Sequence, residues 1–181
     1  VVTAFEFRVH PLGPEGFALN VAYPLEEARS VLTAWRDAVA DAPDELSTAG
    51  LVWSLPVVEE LPAELRGRPY VGVAGLWAGD PEEGERRTRE LRALATSMID
   101  MSGPVSYLDL QRSLDPYFPS GRRCYWKALY LEELADAAIE ETVEWSGRRK
   151  SNDTLVIIRH CGGAIGRVGA EETAFGDRGG E

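Results

Sequence analysis

Histidine and cysteine are scarce in this chain, two of each: His10 and His160, Cys124 and Cys161. Two cysteines build no disulfide framework. Each falls in a β-like run, where a small buried free thiol is the simplest reading; a bridge is geometrically open only if the two strands are neighbours. A zinc centre draws three or four ligands from His, Cys and carboxylates, and with no CxxC or HExxH pattern and the histidines far apart, no metal site is expected. Positive charge is also short, 19 Lys and Arg against 30 Asp and Glu, for a formal net charge of −11. Phosphate backbones and anionic lipid surfaces repel such a chain, so neither nucleic acid nor a membrane is an expected partner. No apolar run reaches the length of a membrane span. With no pattern of secretion, a cytoplasmic location is expected, and the sequon match at Asn152-Asp153-Thr154 carries little weight.

Familiar catalytic signatures are missing as well. There is no GxSxG nucleophile elbow. Gly162, Gly163 and Gly166 make no GxGxxG entering a helix; they read as a tight turn that needs positive φ. His160 and Cys161 are adjacent, but strand neighbours point to opposite faces and form no dyad with each other. Cys124 could meet His160 across strands, though a core cysteine is the simpler reading. The basic cluster Arg148-Arg149-Lys150 follows a helix end, where it complements the helix dipole.

What is present reads as one globular domain, residues 1–181, with an ordinary balance of 44% hydrophobic and 27% charged residues. The sequence opens without methionine at Val1, already alternating, and ends on the polar run Gly176–Glu181; a start inside a strand pattern leads us to expect a piece of a longer protein. Alternation predicts strands over 1–10 and 16–23. Leu25, Ala28, Val31, Leu32, Trp35, Ala38 and Val39 then mark an amphipathic helix, ended by Pro43. Strands are expected over 47–58 and 69–78, around a Pro-rich link. Asp80-Pro81-Glu82-Glu83 is a helix start with cap, N1 proline and capping-box acid; that helix is expected to reach about Met98, with Leu91, Leu94, Ala95 and Met98 inward.

A short helix near 106–115 and an irregular loop, Pro116 to Gly121, come next. A strand over 122–131 and a helix over 132–146 follow, with Leu134, Ala138 and Thr142 inward and Gly147 at the C-cap position. Finally, Thr154–Cys161 and Ala164–Val168 read as a hairpin turned by Gly162-Gly163. Strands in adjacent pairs imply a largely antiparallel sheet with helices on one face, an α+β fold.

The most unusual local feature is the 122–131 strand. Arg123, Tyr125 and Lys127 share one face and Cys124, Trp126 and Ala128 the other. A lysine in an aromatic strand is costly to bury unpaired, so it reaches the sheet rim or a polar pocket. Thr154, Val156, Ile158 and His160 share a face of the 154–161 strand.

Several segments carry a resemblance: VVTAFEFRVHPLGPE, YPLEEARSVLTAWRDAVADAPDEL, AGDPEEGERRTRELRAL, SLDPYFPSGRRCYWKALYLEEL, and RHCGGAIGRV followed by ETAF. In this order the chain resembles the berberine-bridge-enzyme-like FAD-linked oxidases, in particular bacterial members near 6-hydroxynicotine oxidase. The resemblance implies that this is the substrate-binding domain, an antiparallel sheet backed by helices that lays one sheet face over the flavin ring, with the FAD-binding domain absent. It implies oxidation of a small-molecule C–H bearing oxygen or nitrogen, hydride passing to FAD and dioxygen reoxidising it. No residue for FAD attachment carries over, so none is assigned here and no FAD is expected on this chain alone.

The candidates for the reaction are Tyr125, to pack on or orient substrate, Lys127, to hydrogen-bond it or steady negative charge, and His160, to accept a proton near neutrality. Without its partner domain the sheet face should be apolar and open to a second copy, giving a homodimer. The alternatives are a non-catalytic α+β ligand-binding or dimerisation module and, more remotely, a small hydrolase using Cys124 or Cys161.

Overall fold

The computed structural model describes residues 2–169 and 171–175. Its strands are β1 (Gly16–Pro24), β2 (Leu46–Ser54), β3 (Pro69–Trp77), β4 (Ile99–Asp100), β5 (Gly103–Val105) and β6 (Val156–Arg159). They form one sheet in the order β4-β1-β3-β2-β6, with β5 also on β1, and every pairing is antiparallel. The helices are α1 (Ala28–Val39), α2 (Pro81–Arg87), α3 (Tyr107–Arg112) and α4 (Asp136–Gly147). The fold is α+β, as the paired strands imply.

Alternation sorts the sheet into two faces. Leu19, Val21 and Tyr23 of β1, Val71 and Val73 of β3, Val52 of β2 and Val156 and Ile158 of β6 point to one side and pack under the helices. Helix α1 buries Ala28, Val31, Leu32, Trp35 and Val39 on them, the face its spacing predicts. The Trp35 indole donates to Thr48 Oγ1 at 3.1 Å, so the buried N–H has a partner. Gly50 on β2 is what lets α1 settle this closely. A Cβ there would stand 2.8 Å from Leu32 Cδ2 and 3.1 Å from the Trp35 ring.

Helix α2 starts as its sequence dictates, with Asp80 accepting from the Glu83 amide at 3.0 Å and Pro81 in the first turn. It stops at Arg87, short of Met98. The Thr88 hydroxyl turns back to the Gly84 carbonyl at 2.8 Å, and the Leu91 carbonyl is taken by the Tyr23 hydroxyl at 2.8 Å. A tertiary bond thus captures a carbonyl that a longer helix would use. The inward set survives: Leu91 is buried, Leu94 and Ala95 pack on the main core, and Met98 on a smaller one.

Helix α4 begins at Asp136 rather than 132, because Leu134 drops into the core ahead of it and its carbonyl accepts from Arg36 at 3.0 Å. Gly147 closes the helix as its last residue rather than as a left-handed cap, since its φ is not positive.

Three expected strands do not form. Residues 2–10 lie exposed outside the sheet, with Phe5 and Phe7 stacked on each other. Both sides of β1 are already taken, by β3 on one and by β4 and β5 on the other, so no ladder is left there for this segment. Residues 122–130 are exposed and unpaired although they alternate, because alternation supplies a face but not a partner. Residues 163–168 turn instead of extending: Gly163 has φ of 62°, and Arg167 grips the Asp44 carboxylate with both terminal guanidinium nitrogens. The turn at Gly163 is real; the hairpin is not. Cys124 is exposed rather than a core thiol, Cys161 is half-buried, and both are free. Val1 and the tail 176–181 lie outside the described residues.

Candidate functional site

The second face of the sheet is the one turned away from α1 and α4. It presents Ala18 and Ala22 of β1, Gly72 and Ala74 of β3, Ala49 and Leu51 of β2 and Ile157 of β6, with Ala74 opposite both Asn20 and Ala49 and Ala49 also opposite Arg159. Short side chains leave the middle of this face low and largely apolar, with Asn20 on one flank and Arg159 on the other. One end of it is closed by Tyr70, Leu55, Leu61, Leu65 and Met98. The Tyr70 ring folds back over Gly72, where a Cβ would come within 2.7 Å of it. Burial, with Tyr117 nearby, pushes the Tyr70 hydroxyl up to about 12, so it stays neutral at physiological pH.

At this closed end lies a cleft of about 480 Å³. Its wall is aromatic. Trp53 sits on the open face of β2, Tyr117 meets it edge-on at 5.2 Å, and Phe118 lies nearly parallel to it, 15° between planes at 6.3 Å. Trp126 extends the row, 5.9 Å from Phe118. Leu155, which continues the open face by alternation, is also part of its lining.

The loop that builds this wall is set by sequence and by one ion pair. Helix α3 is capped by Ser106, whose hydroxyl accepts from the Asp109 amide at 3.1 Å. After it a 3-10 turn, Asp115–Tyr117, and Gly121 (φ 89°) double the chain back. Arg122 then fastens the loop, pairing with Asp153 at 2.6 Å and donating to the Tyr117 carbonyl at 3.3 Å.

Arg149 fixes the wall from behind. Its guanidinium donates to the carbonyls of Ser146 (2.9 Å), Thr154 (3.0 Å) and Trp53 (3.2 Å), tying the end of α4 to β2 and to the approach of β6. Burial holds its pKa below the ordinary arginine value. The basic cluster after α4 is therefore more than a complement to the helix dipole: one member is a three-carbonyl clip. Arg123, on the cleft lining, has no ion-pair partner among the described residues. Two lining arginines against the single carboxylate of Asp153, with Arg149 behind, leave the cleft positive in a chain of net charge −11.

The residues singled out from sequence are spread out. Tyr125 lines the cleft at its rim, 90% exposed. Lys127 is exposed on the same segment but outside the lining. His160 is half-buried just beyond β6, its ring against Gly162, where a Cβ would stand 2.3 Å from Nε2. It follows the side of β6 that packs under the helices, not the open face. The cleft gathers Tyr125 but neither Lys127 nor His160. The sequence assigned no role in a site to Trp53, Tyr117 or Phe118 and read Arg149 only as a complement to the helix dipole; the one signal for the wall was the aromatic pair between Pro116 and Pro119.

Among the described residues no three His, Cys, Asp or Glu side chains cluster as a metal-holding group, and no helix is long and apolar enough to cross a membrane. No protein-family model matches the chain, and no curated protein is significantly similar to it in sequence.

Proposed function

We propose that this chain is the substrate-binding part of an FAD-dependent oxidoreductase whose flavin is held by a further domain, acting on a small molecule with a C–H beside oxygen or nitrogen. One observation carries the reading: the sheet face turned away from α1 and α4, lined by small side chains at Ala49, Gly72 and Ala74, ends in an aromatic cleft. A planar ring system lying on that face would meet a substrate seated in the cleft. The resemblance of the ordered segments points the same way.

The described residues offer FAD a surface rather than a holder. The small side chains fit one face of a flat tricyclic ring, but no glycine-rich turn into a helix is present to cradle its phosphates. When bound, the flavin supplies hydride acceptance and reoxidation by dioxygen. This chain's own side chains bind and orient: Trp53, Tyr117 and Phe118 stack on substrate and Tyr125 borders it. Lys127 and His160 are proposed to steady negative charge and to accept a proton. Both lie outside the cleft lining, so those roles require the 122–131 and 160–163 segments to close over the face once the flavin domain is in place.

The test is expression of the complete reading frame. A yellow protein that produces hydrogen peroxide on turnover is expected; a colourless protein with no peroxide overturns the reading. The second reading, a non-catalytic ligand-binding or dimerisation module, is favoured by the same apolar face, which a second copy could cover. Under it, light scattering finds a dimer of the complete protein with no flavin bound.

A further inference from the structure

We infer that the aromatic cleft is a binding site for planar aromatic carboxylates, with Arg123 as the group that selects the anion. As a substrate class this rests on the flavoprotein reading above; as a binding site it stands without it.

Shape and surface come first. The cleft holds about 480 Å³, within the range of roughly 300–1,000 Å³ of small-molecule sites. Its wall is a row of ring faces and edges, Tyr117, Trp53, Phe118 and Trp126, with successive centroids 5.2 to 6.3 Å apart. Aromatic pairs favour offset stacking and edge-to-face contact, so a flat ring gains more on this wall than a branched aliphatic of equal area.

Aromatic walls also attract cations, so charge must decide. Arg122 is neutralised by Asp153 at 2.6 Å and is occupied in holding the loop. Arg123 is a neighbour on the same lining with no ion-pair partner among the described residues. Arg149 adds a positive charge directly behind Trp53. A ligand cation would meet the two guanidinium groups of the lining and one carboxylate, whereas an anion meets one free guanidinium able to bind it bidentately. In so acidic a chain, an unpaired arginine beside an aromatic wall stands out from the prevailing charge.

The test is calorimetric titration of the 181-residue chain with three probes of one shape: 1-naphthoate, its neutral amide 1-naphthamide, and 1-naphthylmethylammonium. Naphthoate is expected to bind about tenfold more tightly than the amide, with the margin shrinking as salt rises. Arg123→Gln should remove that margin while leaving the amide's affinity unchanged. Trp126→Ala should weaken carboxylate and amide alike. Arg123 and Trp126 are both largely exposed, so an unchanged thermal midpoint will verify that each variant folds. Equal affinity for acid and amide, a preference that survives Arg123→Gln, tighter binding of the ammonium probe, or no binding at millimolar concentration each overturns the inference. No flavin takes part, so a complete protein that proves colourless removes the redox reading without touching this result, and the converse holds.

Discussion

Replacing Ile139 by alanine tests how the helical layer is held. Ile139 is 0% exposed and is the largest fully buried side chain of α4, which packs against α1. Isoleucine-to-alanine changes in cores cost about 2–5 kcal/mol, the spread reflecting how far the site can collapse. Helix α4 has little else in the core and can relax toward α1, so a value of about 3 kcal/mol is expected. For a domain of this size that lowers Tm by about 6–12 °C, at roughly 2–4 °C per kcal/mol.

The neighbouring residue supplies the contrast. Glu140 pairs with Arg29 across the two helices, but their side chains are 49% and 66% exposed. Exposed pairs contribute about 0.2–1 kcal/mol, so Glu140→Ala should lower Tm by no more than about 4 °C. Urea denaturation at an unchanged m-value would show that stability, and not the extent of unfolding, has changed. A loss below about 1 kcal/mol in Ile139→Ala, or an equal loss in Glu140→Ala, would refute the claim that apolar burial docks α4. Because Arg149 at the end of α4 holds the Trp53 carbonyl, undocking the helix should also disturb the cleft, visible as a change in tryptophan emission.

Three further outcomes are expected. Tyr23→Phe removes a buried hydroxyl donor from the Leu91 carbonyl, costing about 1–2 kcal/mol in a chemical denaturation curve; an unchanged midpoint would show that water or a shifted turn takes over that bond. Ala74→Glu places a charge at the centre of the open face, where it should change the unfolding free energy of this chain by no more than about 0.5 kcal/mol and abolish oxidase turnover of the complete protein; full turnover would mean that no ring lies there. The Arg167 guanidinium holds the Asp44 carboxyl below its ordinary value, and a lowered folded-state pKa gives stability that is present above the unfolded value, about 3.9, and lost as pH falls through the folded one. The Gly163 amide, beside Asp44, should therefore shift in NMR with a midpoint below that value, and Asp44→Asn should flatten the curve; a midpoint above it would contradict the pairing.

The elements that could be read from the sequence are those whose signals are local. Val31, Leu32 and Trp35 announce one helix face by spacing alone, and Asp80-Pro81 announces the start of α2 by capping chemistry. The strands 16–24, 46–54 and 69–77 alternate and also find partners on both sides. Residues 2–10 and 122–131 alternate equally well, yet no strand pairs with them. Strands β4 and β5, two and three residues long, carry no pattern to read. Of the cleft, the sequence offered the 122–131 segment with Arg123, Cys124, Tyr125 and Trp126, and the loop at 116–121. The reach of Arg149 to Trp53, across 96 residues, has no local signature.

By itself the sequence determined the α+β class, the buried face of α1, the presence of β1, β2 and β3 and the acidic character of the chain, because periodicity, caps and charge are properties of neighbouring residues. Tertiary structure alone decided which alternating segments became strands, where α2 stopped and which side chains enclose a cleft. Those outcomes depend on a hydrogen-bonding edge, a captured carbonyl and an ion pair supplied from far along the chain. The local pattern proposes a face, and only a distant partner can occupy it.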